Sequence, residues 1–92
     1  MIVKTTSYGM CELRKEAYFG NKRIALELWN NGPVAMLTVN IPEATLFPGE
    51  FLVKTWSENE EIAADCLRSG LFVDTGKRVK TGWVEAQVWR FA

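Results

Sequence analysis

The stretch "LWNNGPVAMLTVN", residues 28–40, constrains the fold more than any other part of the chain. Asn31–Gly32 is among the strongest short signals for a β-hairpin, because a type I′ turn needs positive φ at both central residues. With that turn at the centre, the numbers of paired residues sum to 63. Ile24 then faces Val39, Leu26 faces Leu37 and Leu28 faces Ala35, all on one side of the sheet. A slip by one residue would break that agreement, so the register is strongly specified. The same register sends Trp29, Val34 and Met36 to the opposite face, together with Tyr18 from the preceding strand. Large apolar groups on both faces of a hairpin call for a cover, supplied either by the chain or by another molecule.

Upstream, "YFGNKR" contains a second turn signal at Gly20–Asn21. Pairing 13–19 with 22–28 sets Ala17 opposite Ile24, Leu13 opposite Leu28, and Arg14 opposite Glu27 on the outer face. Lys15 falls opposite Leu26 on the inner face, where its stem can snorkel at an edge or a bulge can displace it. Residues 11–41 thus read as a three-stranded antiparallel meander.

Further along, "IPEATLFPGE" at 41–50 is a connection punctuated by Pro and Gly, and "FLVKTW" at 51–56 is a strand. "SENEEIAADCLRSG" is the one helix, at about 57–69, with Ser57 and Glu60 as a capping box. Its first turn is acidic, Arg68 sits in its last turn, and Gly70 supplies the left-handed residue after it. Ile62, Ala63, Cys66 and Leu67 form its apolar stripe. "LFVDT" and "WVEAQVWRF" read as strands joined by the loop "GKRVKTG". The expected architecture is one α+β domain, 1–92, in which a single antiparallel β-sheet carries one helix.

A chain of 92 residues hides only about 60–65% of its surface on folding, so a few large side chains must pack well. Four Trp, five Phe and two Tyr suit that need. Eleven basic and eleven acidic residues leave a formal net charge of zero, which provides no global field for nucleic acid or an anionic membrane. The charge is unevenly placed. Residues 43–65 are acidic apart from Lys54, and Arg68, Lys77, Arg78, Lys80 and Arg90 follow against Asp74 and Glu85 alone.

The chain contains no histidine, which removes Ser-His-Asp and Cys-His catalysis in their ordinary forms. Two isolated cysteines, Cys11 and Cys66, build neither a disulfide scaffold nor a four-ligand zinc site, and both fall at core positions. The run "DTGKRVKTG" lacks the glycine and the hydroxyl residue of a phosphate-binding loop. Neither a cofactor nor a metal is expected. The opening "MIVKTTSYGM" does not read as a signal peptide, and no apolar run approaches the ~18 residues of a membrane span, so a cytoplasmic protein without membrane contact is expected.

Two charged groups are candidates for chemistry. Glu58, Glu60, Glu61 and Asp65 are suited to acid–base work or a divalent cation, although a capped, solvated helix start accounts for them more simply. Lys77, Arg78 and Lys80 beside Trp83 are suited to a phosphate, but the intervening Val79 suggests the exposed side of a strand. The large apolar and aromatic residues are the stronger candidates for contact with a partner protein or a second copy of the chain: Trp29, Val34, Met36, Tyr18, Trp83 and Trp89.

"LTVNIP" at 37–42, "WSENEE" at 56–61 and "SGLFVDTGKRVKTGWVEA" at 69–86 resemble a family of short proteins built on a domain of unknown function. Such proteins are encoded on bacterial plasmids, conjugative elements and prophages. The likeness covers roughly the last two-thirds of the chain. It implies an α+β domain and a non-enzymatic accessory role in a mobile element, and it carries no catalytic residues. An inhibitor of a host defence system such as a CRISPR effector is an alternative, and a nucleic-acid-binding module using residues 77–83 is another.

Overall fold

The computed structural model describes residues 1–92. The chain folds as β1 (Ile2–Thr5), β2 (Gly9–Ala17), β3 (Ile24–Trp29), β4 (Pro33–Met36), β5 (Glu50–Val53), α1 (Asn59–Arg68), β6 (Phe72–Thr81) and β7 (Val84–Phe91). The class is α+β, with all strand pairs antiparallel. The strands form two sheets, β1-β2-β3-β4 and β5-β7-β6, where the sequence suggests one.

The division has a local cause at Leu26 and Leu37. Leu37 N–H donates to the Leu26 carbonyl at 2.9 Å, but the reciprocal bond is replaced: Leu26 N–H donates to Thr38 Oγ1 at 3.1 Å. The freed Leu37 carbonyl accepts from Lys54 N–H at 2.9 Å, and Val39 N–H donates to the Leu52 carbonyl at 3.0 Å. The chain therefore leaves β3 and turns a corner onto β5, leaving only the Thr38–Val53 bridge between the sheets. Helix α1 packs against β1 and β6, one outer strand of each sheet.

The meander register holds as far as Leu37, but the expected Ile24–Val39 pair does not form, because β4 ends at Met36 and Val39 turns onto Leu52 and the second cluster. Leu13 pairs with Leu28, Arg14 with Glu27 and Ala17 with Ile24. Leu28 pairs with Ala35 and Glu27 with Met36. The turn itself differs from the two-residue form. Trp29 pairs with Pro33 around a three-residue loop, with a register shift at Leu28/Trp29. A type I′ turn centred on Asn31–Gly32 would close through the N–H of residue 33, and proline has none. Asn31 and Gly32 still take positive φ, 58° and 148°. Lys15 does face Leu26, and it escapes by snorkelling, its Nζ 5.5 Å from the centre of the Phe91 ring.

Strand β1, absent from the sequence-based reading, extends the meander to four strands by pairing Val3 with Cys11 and Thr5 with Gly9. The expected loop 76–82 is mostly strand. β6 runs to Thr81 with a register shift between Asp74 and Arg78, where Gly76 has φ 86°. The helix also starts differently. Ser57 has φ 56°, Glu58 takes the N-cap position, and no side chain caps the helix, so the capping box does not form. Asn59, Ile62, Ala63 and Cys66 are buried in the i, i+3, i+4, i+7 pattern and Asp65 is buried beside them, whereas Leu67 is 37% exposed.

The principal core lies between the two sheets and the helix. Its largest fully buried members are Trp89, Phe51, Leu26, Leu28, Leu37 and Ile62, with Phe72 beside them. A second, separate cluster of Ile41, Ala44, Leu52, Ala86 and Val88 occupies the other face of the three-stranded sheet. Residues 41–47 thus cover that sheet, and not the outer face of the meander.

Candidate interaction surface

The outer face of the four-stranded sheet carries two of the residues singled out in the sequence, Trp29 and Met36. Its pairing places Ile2, Glu12 and Trp29 side by side, with Lys4–Met10 on one flank and Arg14–Glu27–Met36 on the other. Trp29 is only partly exposed. The Arg14 guanidinium lies 3.9 Å from the centre of its ring, and the indole N–H donates to the Glu27 carboxylate. Arg14 is also held 3.6 Å from Glu12. The cover that Trp29 requires is therefore made by polar side chains of its own sheet.

Tyr18 is likewise engaged, its hydroxyl 2.9 Å from Thr38 Oγ1. Val34 corrects the outward assignment made from the register: it is half-buried and packs against the principal core, beside the shifted register at Leu28/Trp29. Met36 stays on the surface at 39% exposure, while its carbonyl accepts from Asn59 Nδ2 at 2.7 Å. Ile2 and Met10, not singled out from the sequence, are more exposed than Met36. The three apolar groups are kept apart by Lys4, Glu12 and Glu27, so the face is mixed and not a continuous apolar patch.

Trp89 corrects the sequence-based assignment completely. It is fully buried, with its ring 5.7 Å from that of Phe72 and its indole N–H donating to Gln87 Oε1 at 3.0 Å. Its alternation with Ala86 and Val88 looks like an in–out pattern, but both faces of this sheet are covered. Trp83 has the opposite fate. It is fully exposed at the β6–β7 turn, between Thr81 and Val84, which pair. Gly82 has φ 60° and Trp83 does not have positive φ, the pattern of a type II′ turn. Such a turn requires the glycine and leaves the next position free, so nothing in the fold calls for tryptophan there. Beyond Gln87, which pairs with Val53, this hairpin has no partner on the β5 side and projects as a two-stranded arm. Phe19 is also fully exposed, in the loop between β2 and β3.

The cations near Trp83 are matched by carboxylates. Lys77 Nζ lies 2.6 Å from Glu50, Arg78 makes two 2.9 Å bonds to Asp74, and Lys80 stands opposite Glu85 in the strand register without an ion-pair contact. The hydrogen bond from Lys77 is the main reason the Glu50 carboxyl is held below its usual range, and the Arg78 bonds do the same for Asp74. The exposed side of β6 is thus charged but locally neutral, as suits an outer strand that must not pair with other chains.

The acidic helix start divides. Asp65 is buried and accepts from Thr6 N–H at 2.8 Å, from Thr6 Oγ1 at 2.7 Å and from Arg68, fastening the helix to the turn after β1. Glu58, Glu60 and Glu61 stay at the surface around a shallow depression shared with Tyr8 and Ser57. No three His, Cys, Asp or Glu side chains converge as metal ligands. No helix is long and apolar enough to cross a membrane. Among known proteins, no family model, curated protein or solved structure matches the chain.

Proposed function

We propose that this chain is a non-enzymatic accessory protein of a bacterial mobile element that acts by binding another protein, with Trp83 as its anchor. The observation that carries the reading is a fully exposed tryptophan at the tip of a projecting hairpin, in a turn position that does not require it. Tryptophan is among the residues most enriched at the energetic centres of protein interfaces. The mobile-element setting rests on the resemblance of residues 37–42, 56–61 and 69–86 to that family.

A protein partner is favoured over nucleic acid because Lys77 and Arg78 are ion-paired and Lys80 faces Glu85, which leaves no surplus of positive charge beside Trp83. It is favoured over a second copy docked through the meander because Trp29 is already covered and Ile2, Met10 and Met36 are separated by charges.

The test is affinity capture from cells that encode the chain, with wild type and Trp83→Ala as parallel baits. The expected result is a protein retained by wild type after nuclease treatment and lost with Trp83→Ala, whose circular dichroism and melting match wild type. Identical captures with both baits, or retention that nuclease abolishes, would overturn the reading. A captured nuclease of a defence system would identify the protein as an inhibitor.

A further inference from the structure

The three-stranded sheet owes its second buried face to a segment with no regular secondary structure. Residues 40–49 connect the corner after β4 to β5 and lay Ile41, Ala44 and the half-buried Leu46 over Leu52, Ala86 and Val88. This cluster shares no member with the principal core, so uncovering it leaves that core intact. The segment has one internal backbone bond, Ala44 N–H to the Ile41 carbonyl at 3.0 Å, and its last turn adds Glu50 N–H to the Phe47 carbonyl at 3.1 Å.

Side chains supply the other fastenings, and the central one comes from the other sheet. Arg23, just ahead of β3, donates through Nη1 to the Ile41 carbonyl at 2.8 Å and through Nη2 to the Ala44 carbonyl. Asn21 Nδ2 donates to Asn40 Oδ1 at 2.9 Å. At the far end Glu50 accepts from Phe47 N–H at 2.8 Å, and Lys77 Nζ lies 4.3 Å from the centre of the Phe47 ring. Pro48 and Gly49, the latter with φ 83°, stand where the segment joins β5.

We infer that residues 40–49 are a hinged cover, latched by Arg23, that opens as a unit and exposes the Leu52–Ala86–Val88 face while both sheets stay folded. A short segment held through one guanidinium across two carbonyls opens at lower cost than strands of the principal core. Lysine cannot span both carbonyls as the planar guanidinium does.

Native-state amide exchange tests this on wild type, Arg23→Ala and Arg23→Lys. The hydrogen-bonded amides of Ala44, Phe47 and Glu50 are expected to exchange roughly tenfold faster or more in both variants. The amides of Leu13, Leu26 and Leu28 should change by less than about threefold. An apolar dye that fluoresces on exposed hydrophobic surface should bind Arg23→Ala more than wild type, with unchanged far-ultraviolet dichroism. Equal acceleration of all these amides would overturn the inference, because cover and core would then be one cooperative unit. No acceleration in the cover would overturn it too, since Arg23 would hold nothing. Asn21→Ala, at an exposed position, is expected to accelerate the same three amides by several-fold, and it keeps the test decisive if Arg23→Ala does not fold.

Discussion

The two sheets bury their residues by different rules. The four-stranded sheet hides one face, and its strands alternate, with Leu13, Leu26 and Leu28 inside and Glu12, Arg14 and Glu27 outside. The three-stranded sheet hides both along β5 and the adjoining part of β7, because the core takes one face and residues 41–47 take the other. Trp29 and Trp89 carry the consequence. Each stands at an alternating position that looks outward in sequence, yet Trp29 lies under Arg14 at the surface and Trp89 is fully enclosed. Alternation identifies the exposed face only where nothing else in the chain lies against it.

The comparison can be broken most directly at those two tryptophans. Trp89→Ala is expected to cost roughly 3–5 kcal/mol, through lost burial and the cavity left beside Phe51 and Phe72. Trp29→Ala should cost about 1 kcal/mol, the scale of a partly exposed cation–π contact with some packing. Urea midpoints of the two variants measure the difference, and equal costs would refute the distinction between the sheets.

The next expectation concerns Cys66, on the helix that faces both sheets. Burial above all, with the Asp65 carboxylate and Cys11 adding to it, pushes its thiol up to about 12. Alkylation of Cys66 at neutral pH should therefore be roughly a thousandfold or more slower in the native protein than in urea, and it should track global unfolding. Mass spectrometry over a time course gives the rate. Rapid modification without loss of structure would mean that the helix opens separately.

Acid should distinguish the sheets more mildly. Glu50 and Asp74, both in the three-stranded sheet, have carboxyls held below their usual values by Lys77 and Arg78. Their stabilising contribution is fully present above the ordinary carboxylate range and is lost as pH falls below about 4.5 through the lowered native values. The stability difference between wild type and Glu50→Gln should be constant from pH 7 down to about 5 and shrink below that. A difference that grows in acid would contradict the assignment of Lys77 as the partner.

The smallest expected effect is at Ser57. Its φ of 56° and the absence of a capping bond make Ser57→Gly stabilising by roughly 0.5–1 kcal/mol. A true N-cap would lose only a few tenths on change to glycine and would not gain. Thermal melts decide the sign.

Side-chain patterning makes the meander legible. The pairs Leu13–Leu28, Ala17–Ile24 and Leu28–Ala35 come from period-two alternation, and the Lys15 violation is visible in the same pattern. The helix is legible from its composition, although its cap is not. Strand β1 escapes a sequence reading because four residues, Ile2–Thr5, are too few to show a period. Of the candidate surface residues, Trp83 reads from sequence as the first residue of a strand and lies instead in the turn before it, whereas the cover of Tyr18 and Trp29 depends on Thr38, Arg14 and Glu27. Phe19 stands beside the Gly20–Asn21 turn signal, whereas nothing local distinguishes Arg23, whose carbonyl contacts come from a segment brought to it by folding.

By itself, the sequence determined the α+β class, the meander register, the helix and its left-handed Gly70, and the chemistries closed to a chain without histidine. Those features depend on residues close in sequence, whose backbone preferences and period act before distant parts meet. Tertiary structure alone decided that the strands divide at Thr38, that residues 41–47 cover the second sheet, and that Trp89 is hidden while Trp83 stands free. Burial depends on what lies opposite a side chain, and the opposite partner is set by the fold as a whole.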